Sequence, residues 1–282
     1  MEALPSESTG WVFVRPAEIF QHPQLGRALG RAVDDAGDQA LFERARRHGY
    51  DLRTLPRAMM AWRPGASLAV GLGPLDTARI NTLLWDRLLT PRTRHDLGDG
   101  ASRMVGHVGA TRVALATHGR CGVAAWSEGE PGWVEAALPV ARAADDGGTP
   151  QADPEVLVHW EETGVPEVLR GEGEAGVALS RRVRRFVLEV GLRPTGLGLS
   201  LRLQGPLPDD TAARLEAAVV RFRQSNLGGA IGADVWLTGA AAPRVVVEAA
   251  GEPGEGEARM EAAVPWSGVE ALADVIRGRV GP

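Results

Sequence analysis

Lysine is missing from this sequence: all 31 cationic side chains of the 282-residue chain are arginines. A Walker-type phosphate loop, a pyridoxal Schiff base and the strand lysine of ordinary kinases all need that amine, so none of the three can be built here. Cysteine occurs once, at Cys121, which excludes an intramolecular disulfide and a thiol-rich zinc or iron–sulfur site. No stretch reaches the roughly 18 continuous apolar residues of a membrane span. Positive charge is not in excess either. The 31 arginines face 36 acidic residues for a net charge of −5, which argues against a general nucleic-acid or anionic-membrane surface. Tyrosine appears once and phenylalanine five times, against eight tryptophans.

What is present is enough to bury a core in one large or two small domains, since 44% of the residues are hydrophobic. The most informative pattern is an internal repeat. Leu68 to Arg79 aligns with Leu201 to Arg214: in each, an alternating apolar strand ends at Gly-Pro, and Asp-Thr then offers oxygens to the first amides of a helix. Downstream, the period-two runs from Arg103 to Ser127 and the helix opened at Trp133 match Ala233 to Val264 and the helix opened at Trp266. The pattern predicts two diverged copies, from about Thr9 to Asp145 and from about Pro154 to Val280. Each would be an α+β unit, a mainly antiparallel sheet with helices packed on one face. The first copy carries an extra helical region from Ala17 to Gly49, expected to close over its own sheet.

Catalytic signatures fail one after another. Gly171 to Gly176 has the spacing of a dinucleotide fingerprint, but its two glutamates would face a pyrophosphate, so it reads as an acidic loop. No serine is centred in Gly-x-Ser-x-Gly. The acidic pairs, such as Asp209-Asp210 before Thr211, read as helix caps rather than as a hydrolytic dyad. His107, His118 and Cys121 are the one grouping that a metal- or cysteine-dependent hydrolase would use, though Cys121 lies between strands and not at an activating helix start. The run Arg181-Arg182-x-Arg184-Arg185 reads as a charged strand edge that opposes aggregation. Against these, the expectation is a non-enzymatic protein that needs no cofactor and binds a protein partner or an apolar small molecule. Trp62, Trp126 and Arg185 are the candidate ligand-binding residues, and a structural subunit of a larger complex is the further alternative.

The order Leu4-Pro5, Trp11 to Pro16, Gly49-Tyr-Asp-Leu-Arg-Thr-Leu55, Gly73-Pro74-Leu75-Asp76 and Arg103-Met-Val-Gly-His107 resembles uncharacterised, duplicated envelope lipoproteins of GC-rich bacteria. The resemblance implies a secreted, lipid-anchored protein whose signal segment and anchor cysteine would precede Met1. Without them the chain reads as cytoplasmic, because its first residues lack a basic region followed by an apolar run.

Overall fold

Alternating apolar residues lay down most of the antiparallel strands of this protein, and a computed structural model shows their pairing. It describes residues 7–34, 43, 46–47, 49–119, 123–135, 137–138, 155–165, 181–237, 243–249 and 256–280. Cys121, the glycine-rich sequence at 171–176 and the segment joining the two halves lie outside the described residues. The architecture is α+β, and its contacts divide into two units. One contains residues 1–21 and 37–154, the other 22–36 and 155–282. The helical region from Ala17 to Gly49 is therefore divided between the units, with its second helix grouped with the later half of the chain.

In the first unit, β1 (Gly10–Val14), β2 (Arg57–Arg63) and β3 (Ala66–Leu72) form a meander, followed by helix α3 (Thr77–Trp85). Four more strands come next: β4 (Leu89–Gly98), β5 (Ala101–Val108), β6 (Thr111–His118) and β7 (Val123–Glu128). The spatial order is β1-β2-β3-β7-β6-β5-β4, so β7 returns to pair with β3. Sequence periodicity misses β4. Its ten residues are half-exposed or exposed throughout and include Arg92, Arg94, His95 and Asp96, so the strand has no apolar alternation to read.

The two faces of this sheet are both covered. Ala61, Leu68, Val70, Ala114, Ala116 and Ala125 pack beneath the helical residues Trp133, Val134, Ala137 and Leu138. Neighbouring residues of opposite parity, Met104, Val113 and Leu115, pack with Leu84 of α3 and the following Leu88 on the other face. Asn81 of α3 fixes the same contact by donating to the Thr117 hydroxyl (2.9 Å) and the Ser102 hydroxyl (3.2 Å). Helices on a single face is thus not the arrangement of the first unit, because both faces carry apolar residues: alanines at 61, 114, 116 and 125 under the helical segment at Trp133, and Met104, Val113 and Leu115 under α3. Trp133 is 7% exposed, with the Arg63 guanidinium 5.3 Å from its ring centre.

The second unit has β8 (Val156–Thr163), β9 (Arg185–Arg193), β10 (Gly196–Gly205), β11 (Arg244–Ala249) and β12 (Gly256–Pro265) in the order β11-β12-β10-β9-β8. Its helices are α2 (Pro23–Asp34), α4 (Thr211–Gln224), α5 (Asn226–Ala230), α6 (Ala233–Trp236) and α7 (Trp266–Val280), while α1 (Pro16–Gln21) stays in the first unit. His22, just before α2, stacks on Trp266 at the start of α7 with centroids 4.7 Å apart, so that tryptophan anchors a helix pair. Two expectations are corrected here. The run beginning at Ala233 is helical instead of extended, because Gly232 in the left-handed region (φ 70°) restarts a helical turn and Ala233 and Leu237 bury against Ile231. Arg185 does not sit on a free edge, since β9 is paired on both sides, with β8 and with β10.

Both units place the same turn between their third strand and the helix that follows. Gly73 (φ 141°) and Gly205 (φ 148°) each accept a bond from the amide two residues on, Leu75 and Leu207, at 2.8 Å. A side chain is excluded at both: an added Cβ would stand 2.5 Å from Pro56 Cδ in one and 2.2 Å from the Arg182 carbonyl in the other. The helix starts then differ in detail. Asp76 accepts the Arg79 amide (2.9 Å) as a true cap, whereas Asp210 accepts from the Arg214 side chain (2.8 Å).

Candidate functional site

The first unit contains a cavity of about 640 Å³, within the usual range for small-molecule sites. Its floor is the α3 face of the meander, where Val12 and Val14 of β1, Ala58 and Met60 of β2, and Ala69 and Gly71 of β3 stand side by side in register. Trp126, opposite Ala69 on β7, and Leu115 beyond it continue that floor. Ile80, Leu83 and Leu84 of α3 form one wall. Leu55 and Leu75 close the end next to Gly71, where their Cδ1 atoms lie 3.7 and 4.0 Å from the place a Gly71 Cβ would take. Among the described lining residues, Arg87 is the one charged side chain and Tyr50 the one hydroxyl. The cavity opens to solvent: Met60 and Val108 both line it yet remain 44% and 40% exposed.

The empty space has a cause in the sequence. Counted back from the glycine of the shared turn, Gly71 and Ala69 of β3 take the ladder positions that Leu203 and Leu201 take in β10. The residues opposite them are Ala58 and Met60 in one unit, Phe186 and Leu188 in the other. On the next strand, Val12 stands where the second unit has Trp160. In the second unit these positions are filled, with Phe186 and Leu203 only 2% and 4% exposed and Trp160 edge-on to Phe186 at 5.3 Å. Replacing Phe, Leu and Trp by Ala, Gly and Val removes volume that a close-packed interior does not otherwise leave empty.

Local capping steadies the closed end. Asp51, beside Tyr50, accepts from the Arg53 amide and Nε (both 3.0 Å) and Nη2 (2.9 Å), which fixes the helical turn Leu52–Thr54 that delivers Leu55. These bonds, ahead of the charge of Arg53 and Arg46, hold the Asp51 carboxyl below its ordinary value, while its partial burial acts in the opposite sense.

Of the candidates named from sequence, Trp126 lines this cavity, and its indole nitrogen donates to Glu128 (3.2 Å). Trp62 is used elsewhere: its ring lies over Gly10, 2.7 Å from where a Cβ there would be. Arg185 belongs to the second unit, where it holds Glu161 through two bonds of 2.8 and 2.9 Å that raise its own pKa further. His107 and His118 do not meet. His107 pairs with Arg112 and His118 with Ala101, which sets them about 20 Å apart along the strands. No group of three metal-ligating side chains occurs among the described residues. Sequence reasoning missed Ala58, Ala69 and Gly71 because small residues carry no chemistry. Their contrast with Phe186, Leu201 and Leu203 emerges from the strand register.

No family model and no curated protein matches the chain. Solved structures of TP0453 are similar to it. Crystal form III gives a TM-score of 0.50 at 10% identity, over 98% of this chain and 97% of that one. Crystal form I gives 0.51 at 9% identity with the same coverage, 98% and 97%. At that identity the likeness is one of fold alone: the chain shares the α+β architecture of TP0453 along nearly its whole length.

Proposed function

We propose that this chain is a non-enzymatic binding protein that holds an apolar small molecule in the cavity of its first unit. The observation that carries the reading is the lining itself, which among the described residues is aliphatic and aromatic with Arg87 the one charged side chain. A water-filled space with that lining gains free energy when an apolar ligand replaces the water, at about 25 cal/mol per Å² of apolar surface covered. Catalysis finds no comparable support in His107 and His118, which the strand register holds apart. The resemblance to envelope lipoproteins favours an envelope setting for this binding.

We further propose that the two units are diverged copies of one ancestral module. The paired Gly-Pro-Leu turns, with equal geometry and equal place before a helix, support this. So does the strand order, in which β1-β2-β3-β7-β6 corresponds to β8-β9-β10-β12-β11. On this reading the second copy kept its core, and the first gave up core volume for a ligand.

The test is titration with an environment-sensitive apolar dye, on the intact chain and on an Ala69→Leu variant that restores the second unit's residue. The wild type is expected to bind one dye per chain, and Ala69→Leu to weaken binding at least tenfold while unfolding at or above the wild-type temperature. Equal binding by a folded Ala69→Leu variant would place the dye elsewhere and defeat the proposal.

A further inference from the structure

The strands β4 and β11, which end the strand orders of the first and second unit, differ in what their outer sides offer. β4 is blunted: Pro91 has no amide hydrogen to give, the register with β5 shifts twice, and the strand carries Arg92, Arg94, His95 and Asp96. β11 has neither proline nor a register shift. Arg244 to Ala249 pair continuously with Gly256 to Glu261 of β12, and three successive valines, Val245, Val246 and Val247, fill the middle of the strand. Among the described residues no strand pairs with the outer side of β11. Val247 is exposed, and α4, the helix beside β11, leaves Val220 and Phe222 exposed as well. A regular, β-branched edge of this kind is a template for another strand.

The side chains of β11 indicate which strand. Arg244-Val-Val-Val-Glu248 is complementary to itself when run antiparallel: about Val246, Arg244 falls opposite Glu248 of a second copy, Val245 opposite Val247, and Val246 opposite its own equivalent. Opposed residues must point to the same side of a sheet, so the register can move only by two positions at a time. Of those registers, the one centred on Val246 makes both ion pairs. Glu248 also stands opposite Glu257 of β12, a like-charge pair that an arginine on the outer side would offset. We propose that β11 joins two copies of this chain edge to edge, as a two-fold symmetric antiparallel strand pair. Six residues span about 20 Å, so the contact is short and the dimer a weak one whose share rises with concentration.

The experiment is sedimentation velocity of the intact chain over a range of concentrations, repeated on Arg244→Glu, on Glu248→Arg and on an equimolar mixture of the two. Both side chains are exposed, so neither change disturbs the core. The wild type is expected to pass from monomer to dimer as concentration rises. Each variant alone sets two like-charge pairs in the contact and should dimerise about tenfold more weakly. In the mixture each variant supplies the charge the other lacks, so a mixed dimer should form with close to wild-type affinity. A local effect of either charge on its own strand gives no such recovery. A wild type that stays monomeric at every concentration would overturn the proposal and leave this edge to a strand of another protein. A dimer equally strong in both variants would overturn it by placing the contact elsewhere, and so would weakened variants that stay apart when mixed.

Discussion

The two units solve the same sheet in opposite ways. Ala61, Leu68 and Val70 on one face of the first unit's meander stand where the second unit has Glu189, Ser200 and Arg202. The first unit covers that face with Trp133 and Leu138, whereas the second dresses it in polar contacts: the ion pairs of Arg185 with Glu161 and Arg202 with Glu189 (3.2 Å), and a hydrogen bond between His159 and Glu189 (2.9 Å). On the opposite face the roles reverse. The second unit fills its core with Phe186, Leu203 and Leu215, and the first leaves a cavity. The lesson is that one backbone register tolerates a dry face, a charged face, a full core or a hollow one, according to which side chains sit at fixed ladder positions.

The sharpest way to break the comparison is to exchange these positions. Ala61 is 0% exposed, so Ala61→Glu puts the second unit's carboxylate beneath Trp133 without a partner. The expected loss is several kcal/mol in a denaturant melt, enough to unfold the first unit. A stable variant would mean that the face is open to water. Next in size is Phe186→Ala, which imitates Ala58 of the first unit and should cost about 3–5 kcal/mol because the second unit's core is full. Met60→Ala, on the rim of the existing cavity and 44% exposed, should cost less than about 1 kcal/mol by the same measurement. Similar losses for the two would show that the cavity is an ordinary core.

Smaller effects come from charge. Glu161→Gln removes the bidentate partner of Arg185, whose side chain is 44% exposed, and should lower stability by no more than about 1 kcal/mol, an effect that salt reduces. Asp51 gives an acid dependence of known sign. Its folded pKa is depressed, so its contribution is complete above the unfolded value of about 3.9 and is lost as pH falls through the folded value. Unfolding melts of Asp51→Asn should show slightly lower stability at neutral pH and a shallower acid limb than the wild type. An unchanged acid limb would show that the Arg53 bonds to Asp51 contribute nothing to it.

Much of this architecture was legible in the chain. The Gly-Pro-Leu turns, the alternation in β2, β3, β5 and β6, and the helix opened by Trp266 follow from local rules of pattern and punctuation. The misses have physical causes. β4 is held by pairing with β5 and not by burial, so it carries no periodic signature. Ala233–Trp236 looks extended in isolation and is helical because Ala233 and Leu237 pack beside Ile231. The site was least legible. Trp126 was visible as an aromatic in a strand, but a cavity is defined by missing volume at Ala58, Ala69 and Gly71, which appears only when the facing strands are set in register.

One measurement bears most directly on the hollow core as a ligand site: co-crystallisation with a brominated long-chain alkane, located by the anomalous signal of the bromine. The account predicts one bromine site per chain, in the cavity beneath α3. Bromine bound only on the second unit, or a cavity still empty at saturating ligand, would contradict it.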